Sequence, residues 1–304
     1  MQSSFGNIYL DYTQEELDQA YDQSVWAPDM LKTLNYYAEV SEEVRKIGYP
    51  SALSYADDTM GGIDVFQSAA RGPLVYFVHG GAWKSGDRSM YSFLARNFAG
   101  IDSPLAIPDF PKIQTVGLPE MVERVAQGLR AVLAAFPDYA RRGVIIAGHS
   151  SGAHLAACLA VGQGGRDIPA LMTGCLLISG IYDMEPVLMS SRRHYVTLDE
   201  VEAKRLSPLY FAEQLAGARL SIFYGSAESP EFIRQAQVFA QAASNFCPEI
   251  QVQSLNGYDH FSILLETLQS DSRILEAIAT MVTQSASSST GHAGDHSQII
   301  RETL

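Results

Sequence analysis

The residues that could do chemistry begin with Gly148-His149-Ser150-Ser151-Gly152. Upstream lies Gly143-Val144-Ile145-Ile146-Ala147, a β-branched apolar run that reads as a buried strand; downstream lies Ala153-His154-Leu155-Ala156-Ala157-Cys158-Leu159-Ala160, rich in helix formers. A G-x-S-x-G on a strand-to-helix turn is a nucleophile elbow, which strains the serine backbone and exposes its hydroxyl above a sheet. The N–H of Ser151 then opens a helix, where it can stabilise negative charge.

A serine hydroxyl is a poor nucleophile at neutral pH and needs a base, and the base needs an orienting acid. On this kind of turn the partners follow in the order serine, acid, histidine. Of the seven histidines, His292 and His296 fall in a polar tail and His194 in an irregular stretch beside Arg192 and Arg193. His260, in Asn256-Gly257-Tyr258-Asp259-His260-Phe261, occupies a turn between the last strand and the last helix, where a general base must hang. The acid should leave the end of the preceding strand, Leu220-Ser221-Ile222-Phe223-Tyr224-Gly225. Glu228, in the loop before Pro230, is the first choice; Glu231, in a first helical turn, is the competitor, and Asp259 ranks behind both because sequence neighbours rarely reach each other's side chains. A second set of oxyanion donors should follow an earlier buried strand. His79-Gly80-Gly81-Ala82-Trp83 does so, and its paired glycines let the N–H groups of Gly81 and Ala82 turn toward the serine, joining that of Ser151. Trp83 and Tyr182 could line a substrate pocket or simply pack. No cofactor or metal is implied: Gly162-Gln163-Gly164-Gly165 matches neither a dinucleotide nor a phosphate loop, and His149 and His154 lack the spacing of a zinc site.

These groups need a scaffold. Gly62–Gln67, Pro73–Val78, Leu105–Ile107, the elbow strand, Leu171–Ser179, Leu220–Tyr224 and Ile250–Leu255 read as strands, alternating with helices over 119–136, 153–160, 230–245 and 261–282. That alternation predicts an α/β fold with a mostly parallel sheet covered on both faces. Residues 51–283 form the main domain, in which 183–215 break the pattern as a small cap-like insertion near the sheet's C-terminal edge, where ligands bind. Residues 1–50 are a helical extension: Thr13 and Glu16 make a capping box, a second amphipathic stretch runs from Met30 to Ile47, and both could help roof a pocket. Residues 284–304 read as a low-complexity, flexible tail.

The chain has 304 residues, 47% hydrophobic, with a formal net charge of −13 and no basic cluster, which argues against nucleic acid and anionic membrane surfaces. Three cysteines without C-x-x-C spacing, no basic-then-apolar leader and no long apolar window point to a reducing cytoplasm. The partner expected is a small-molecule amide or ester; homo-oligomerisation stays open.

Together the motifs resemble the α/β-hydrolase superfamily, and within it the arylformamidase (kynurenine formamidase) branch. The carriers are His79-Gly80-Gly81-Ala82-Trp83, Gly148-His149-Ser150-Ser151-Gly152-Ala153-His154-Leu155, Ser179-Gly180-Ile181-Tyr182-Asp183, Glu228-Ser229-Pro230-Glu231-Phe232 and Asp259-His260-Phe261. The resemblance implies metal-independent hydrolysis of an N-formyl arylamine with Ser150, Glu228 and His260 as the triad. It departs at the acid, often Asp in that branch and Glu228 here. A carboxylesterase, a hydrolase of another small amide, and a non-catalytic binding module are the alternatives.

Overall fold

In a computed structural model, residues 6–56, 61–66, 71–98 and 100–290 are described. Eight strands form one sheet: β1 (Ser51–Ser54), β2 (Gly62–Phe66), β3 (Leu74–Val78), β4 (Leu105–Pro108), β5 (Val144–His149), β6 (Met172–Ile178), β7 (Arg219–Gly225) and β8 (Glu249–Leu255), in the order β1-β2-β4-β3-β5-β6-β7-β8. β1 pairs antiparallel with β2 and β2 with β4; from β4 to β8 every pairing is parallel. The sheet is thus the mostly parallel one that the alternation predicts.

The central strands are apolar on both sides because both faces are covered. In β3, Leu74, Tyr76 and Val78 point into one core and Val75 and Phe77 into the other. The α-helices of eight residues or more are α1 (Gln14–Tyr21), α2 (Met30–Ile47), α3 (Leu118–Ala135), α4 (Ser151–Ala160), α5 (Pro230–Ala243) and α6 (Arg273–Thr290). Helices α1, α3, α4 and α5 supply the first core; α2, α6 and the segment from Tyr91 to Ile101 supply the second.

The amino-terminal helices form as their caps dictate. Thr13 accepts from the Glu16 N–H and Glu16 reaches back to the Thr13 N–H, the reciprocal pair of a capping box. Helix α1 lays Leu17, Ala20 and Tyr21 on the main body.

Two boundaries differ from the sequence reading. Residues 261–282 are not one helix: a 3-10 segment, Ser262–Leu268, precedes α6, because Glu266 folds back to accept from Ser272 Oγ and from the N–H groups of Arg273 and Ile274. Helix α6 also runs through 284–290, into the stretch read as a tail; residues 291–304 lie outside the described residues. Within 183–215 the chain forms short helical pieces, Glu185–Met189, Ser191–His194, Glu200–Arg205 and Pro208–Leu215.

Candidate active site

Ser150 stands between β5 and α4 with φ 57° and ψ −124°, the strained left-handed conformation of an elbow. Its N–H donates to the Ile178 carbonyl at 2.9 Å and its carbonyl accepts from the His154 N–H at 3.1 Å, so strand and helix hold the strain in place. The flanking glycines make the crossing feasible. A Cβ on Gly152 would fall 2.1 Å from the Val78 carbonyl oxygen, and one on Gly148 would fall 2.4 Å from that of Gly152.

Two turns bring the partners in. His260 follows β8, and its Nε2 lies 2.8 Å from Ser150 Oγ. Its Nδ1 lies 2.8 Å from Glu228 Oε2, which follows β7. The carboxylate assigns the proton to Nδ1, leaving the Nε2 lone pair to accept from the serine hydroxyl. Glu228 is itself fixed: its other oxygen accepts from Ser179 Oγ and from the Gly225 N–H, each at 2.6 Å. All three side chains are buried. A hydroxyl on an unprotonated imidazole nitrogen, with a carboxylate behind the ring, is an arrangement that removes a proton as oxygen attacks a carbonyl.

The competing acids are engaged elsewhere. Glu231 is bound by Arg234 at 2.7 Å and 2.8 Å and by the Tyr21 hydroxyl at 3.1 Å. Asp259 caps the N–H groups of Phe261 and Ser262.

The glycine-rich loop turns sharply after β3. Gly81 has φ 131°, Ala82 52° and Trp83 62°. The Gly81 carbonyl accepts from the N–H groups of Lys84 and Ser85, closing the turn. His79 anchors it: its ring stacks between Tyr91 and Phe110, and its Nδ1–H donates to the Gly80 carbonyl at 2.8 Å. Gly81 and Ala82 face the same cavity as Ser150, and Ser151 opens α4, so its N–H has no acceptor within the helix.

That cavity encloses about 730 Å³. Its floor includes Ser150, His149 and His260; its roof includes Tyr21, Gln23, Met30 and Leu34, from the amino-terminal helices and the turn joining them. Trp83 and Tyr182 do not line it. Both are fully buried packing groups, Trp83 edge-on to His154 and Tyr182 stacked on Phe239 at 4.3 Å.

Three contributors escaped the sequence reading of the site. Ser179, at the end of β6, holds Glu228. Its signal is positional: a polar residue at the C-terminal end of the strand beside the elbow. His149 donates from Nε2 to the His260 carbonyl at 2.8 Å. Burial, then the electrostatic interaction with the His260 imidazole, hold its pKa well below the ordinary imidazole value, so it stays a neutral donor. Arg192 reaches the cavity from the inserted segment.

Among the described residues no group of three or more His, Cys, Asp or Glu side chains is placed to hold a metal ion, and no helix is long and apolar enough to cross a membrane.

Known proteins share the fold that carries this site. A family model described as BD-FAE matches residues 64–175. The chain is 27% identical to a kynurenine formamidase of Danio rerio, over 90% of this chain and 98% of that protein. The chain has the α/β-hydrolase fold. Among solved structures, the chain superposes with TM-score 0.75 on a candidate thioesterase from Silicibacter sp. TM1040, at 25% identity over 86% of this chain and 98% of the other. With the carboxylesterase EstE1, cloned from a metagenomic library, the TM-score is 0.64 at 17% identity over 82% and 96% of the two chains, a likeness of fold.

Proposed function

We propose that this hydrolase cleaves the formyl amide of an N-formyl arylamine, of the N-formylkynurenine type, through an acyl-enzyme on Ser150. The observation that carries the serine chemistry is the Ser150–His260–Glu228 relay, 2.8 Å at each step and beside a cavity. Likeness to a kynurenine formamidase over nearly the whole length of both chains narrows the bond to a formamide.

In this reading Ser150 Oγ attacks the formyl carbon while its proton passes to His260 Nε2, and Glu228 stabilises the resulting imidazolium. The N–H groups of Gly81, Ala82 and Ser151 hold the oxyanion, each worth about 3 kcal/mol of barrier. The C–N bond breaks as His260 returns the proton to the amine nitrogen, without which an amine leaves poorly. Water, deprotonated by the same imidazole, then releases formate and regenerates Ser150. The three cysteines, unpaired and buried, suit a reducing compartment, and we place the reaction in the cytoplasm.

A second reading, a carboxylesterase with the same relay, is favoured by the cavity's 730 Å³, ample for a bulkier acyl or alkyl group. Steady-state kcat/KM on N-formylkynurenine beside p-nitrophenyl acetate separates the two. A formamide value above about 10⁴ M⁻¹s⁻¹ supports the first; ester turnover with negligible formamide turnover moves the enzyme to the second. In either case Ser150→Ala is expected to lose about 10⁴-fold or more in kcat, and a variant that keeps substantial turnover removes Ser150 from the mechanism.

A further inference from the structure

Arg192 is 6% exposed and, among the described residues, makes no ion pair. Its Nη2 donates to the Tyr21 carbonyl at 2.8 Å, while its Nη1, fully buried, has no hydrogen-bond partner. The guanidinium sits among aromatic faces, 5.2 Å from the Tyr21 centroid, 5.7 Å from Phe232 and 5.8 Å from Trp83. Carboxylates in its neighbourhood are committed: Glu231, which shares Tyr21 with it, is bound by Arg234, and Asp22 is exposed and accepts from Ser24. A buried cation lacking an anion is costly unless something supplies one. Arg192 lines the cavity that holds Ser150 and His260, and one ring, Phe232, touches both sides, with its centroid 4.7 Å from that of His260.

We infer that Arg192 binds an anionic group of the substrate, a carboxylate on the leaving-group or acyl portion that sits on the far side of the Phe232 ring from His260. The inference rests on Ser150 being the nucleophile of this cavity. Guanidinium and carboxylate match as a planar fork, and stacking on three rings pre-organises the cation without cancelling its charge. The placement also answers a problem of field: a chain of formal net charge −13 repels an anionic substrate, and a desolvated arginine inside the pocket reverses that locally. Lys84, the other cation lining the cavity, is exposed and lies 4.7 Å from the Tyr195 ring, too hydrated to select as sharply.

The test uses two substrate pairs that differ in charge: N-formylkynurenine against its methyl ester, and p-nitrophenyl hemisuccinate against p-nitrophenyl butyrate. The second pair reads charge preference even if formamides are not turned over, so failure of the formamidase reading is separable from failure of this one. The wild type should favour the anion in each pair that it turns over. In Arg192→Gln, kcat/KM should fall about 10- to 100-fold for the anions and less than about threefold for the neutral partners. Arg192→Lys should recover part of the preference, and Lys84→Gln should leave it nearly intact. Equal losses on anionic and neutral substrates would make Arg192 only a strut for α1, and a wild type indifferent to charge would overturn the inference outright.

Discussion

Glu228 and Glu231 are three residues apart and both buried, yet they meet different partners. Glu228 accepts from His260 Nδ1, Ser179 and the Gly225 N–H; Glu231 accepts from Arg234, Tyr21 and Gln235. Their neutral amide variants should therefore part ways. Glu228→Gln is expected to lower kcat about 10³- to 10⁴-fold with KM little changed, since the amide no longer stabilises the imidazolium or selects the Nδ1–H tautomer. Glu231→Gln should leave kcat within about threefold but lower Tm, because half-buried Arg234 keeps its charge without its partner. Steady-state kinetics and thermal melts of the two variants decide it; similar kinetic losses would return Glu231 to the site. The same logic assigns Ser179 a positioning role: Ser179→Ala should reduce kcat by less than Glu228→Gln does.

At the level of elements, the elbow depends on how closely α4 passes under β3. The Gly152 Cα faces the carbonyl oxygens of Val78 and His79, which an added Cβ would meet at 2.1 Å and 2.3 Å. Neither is a flexible side chain that could swing away. Gly152→Ala should cost about 2–4 kcal/mol of stability, read from urea melts, with loss of turnover in whatever fraction folds. The amino-terminal helices are tied to the same centre. Arg192 Nη2 holds the last residue of α1, and Tyr21, Gln23, Met30 and Leu34 cover the cavity. What reads from sequence as an extension is a wall of the binding space.

Across the molecule, two buried imidazoles set its response to acid. Burial, only partly offset by the hydrogen bond to the Leu206 carbonyl, lowers the His154 pKa to about 4, and His149 is displaced in the same direction. An unfolded histidine titrates near 6.5. Between those values the unfolded chain binds protons that the folded chain refuses, so stability rises with pH there. Stability from His154 is complete above about pH 6.5 and is lost as pH falls toward 4, a difference of about 3 kcal/mol. Urea midpoints from pH 7.5 to 4 should show this decline, and His154→Gln, less stable at neutral pH, should show a shallower one; parallel curves would place the acid sensitivity elsewhere.

The strand–turn–helix around Ser150 and the parallel sheet were legible in the chain because both rest on local patterns. Continuous apolar runs mark strands buried on two faces, and short breaks carry glycine where backbones must pass. The turn bearing His260 was legible for the same reason, since chain order puts it at the C-terminal edge of the sheet. The preference for Glu228 over Glu231 rested on chain position alone, a loop before Pro230 against a first helical turn; the packing of β7, α5 and α1 is what turns Glu228 to the imidazole and Glu231 to Arg234. Trp83 and Tyr182 looked equally suited to lining or filling, and packing made both of them filling. Arg192 reads as one half of a basic pair on a polar stretch; folding buries it in an aromatic cluster 42 residues beyond the serine whose cavity it shares. Local periodicity specifies elements and their order, whereas burial and partnership are properties of non-local packing, and it is these that turn a charge into a site.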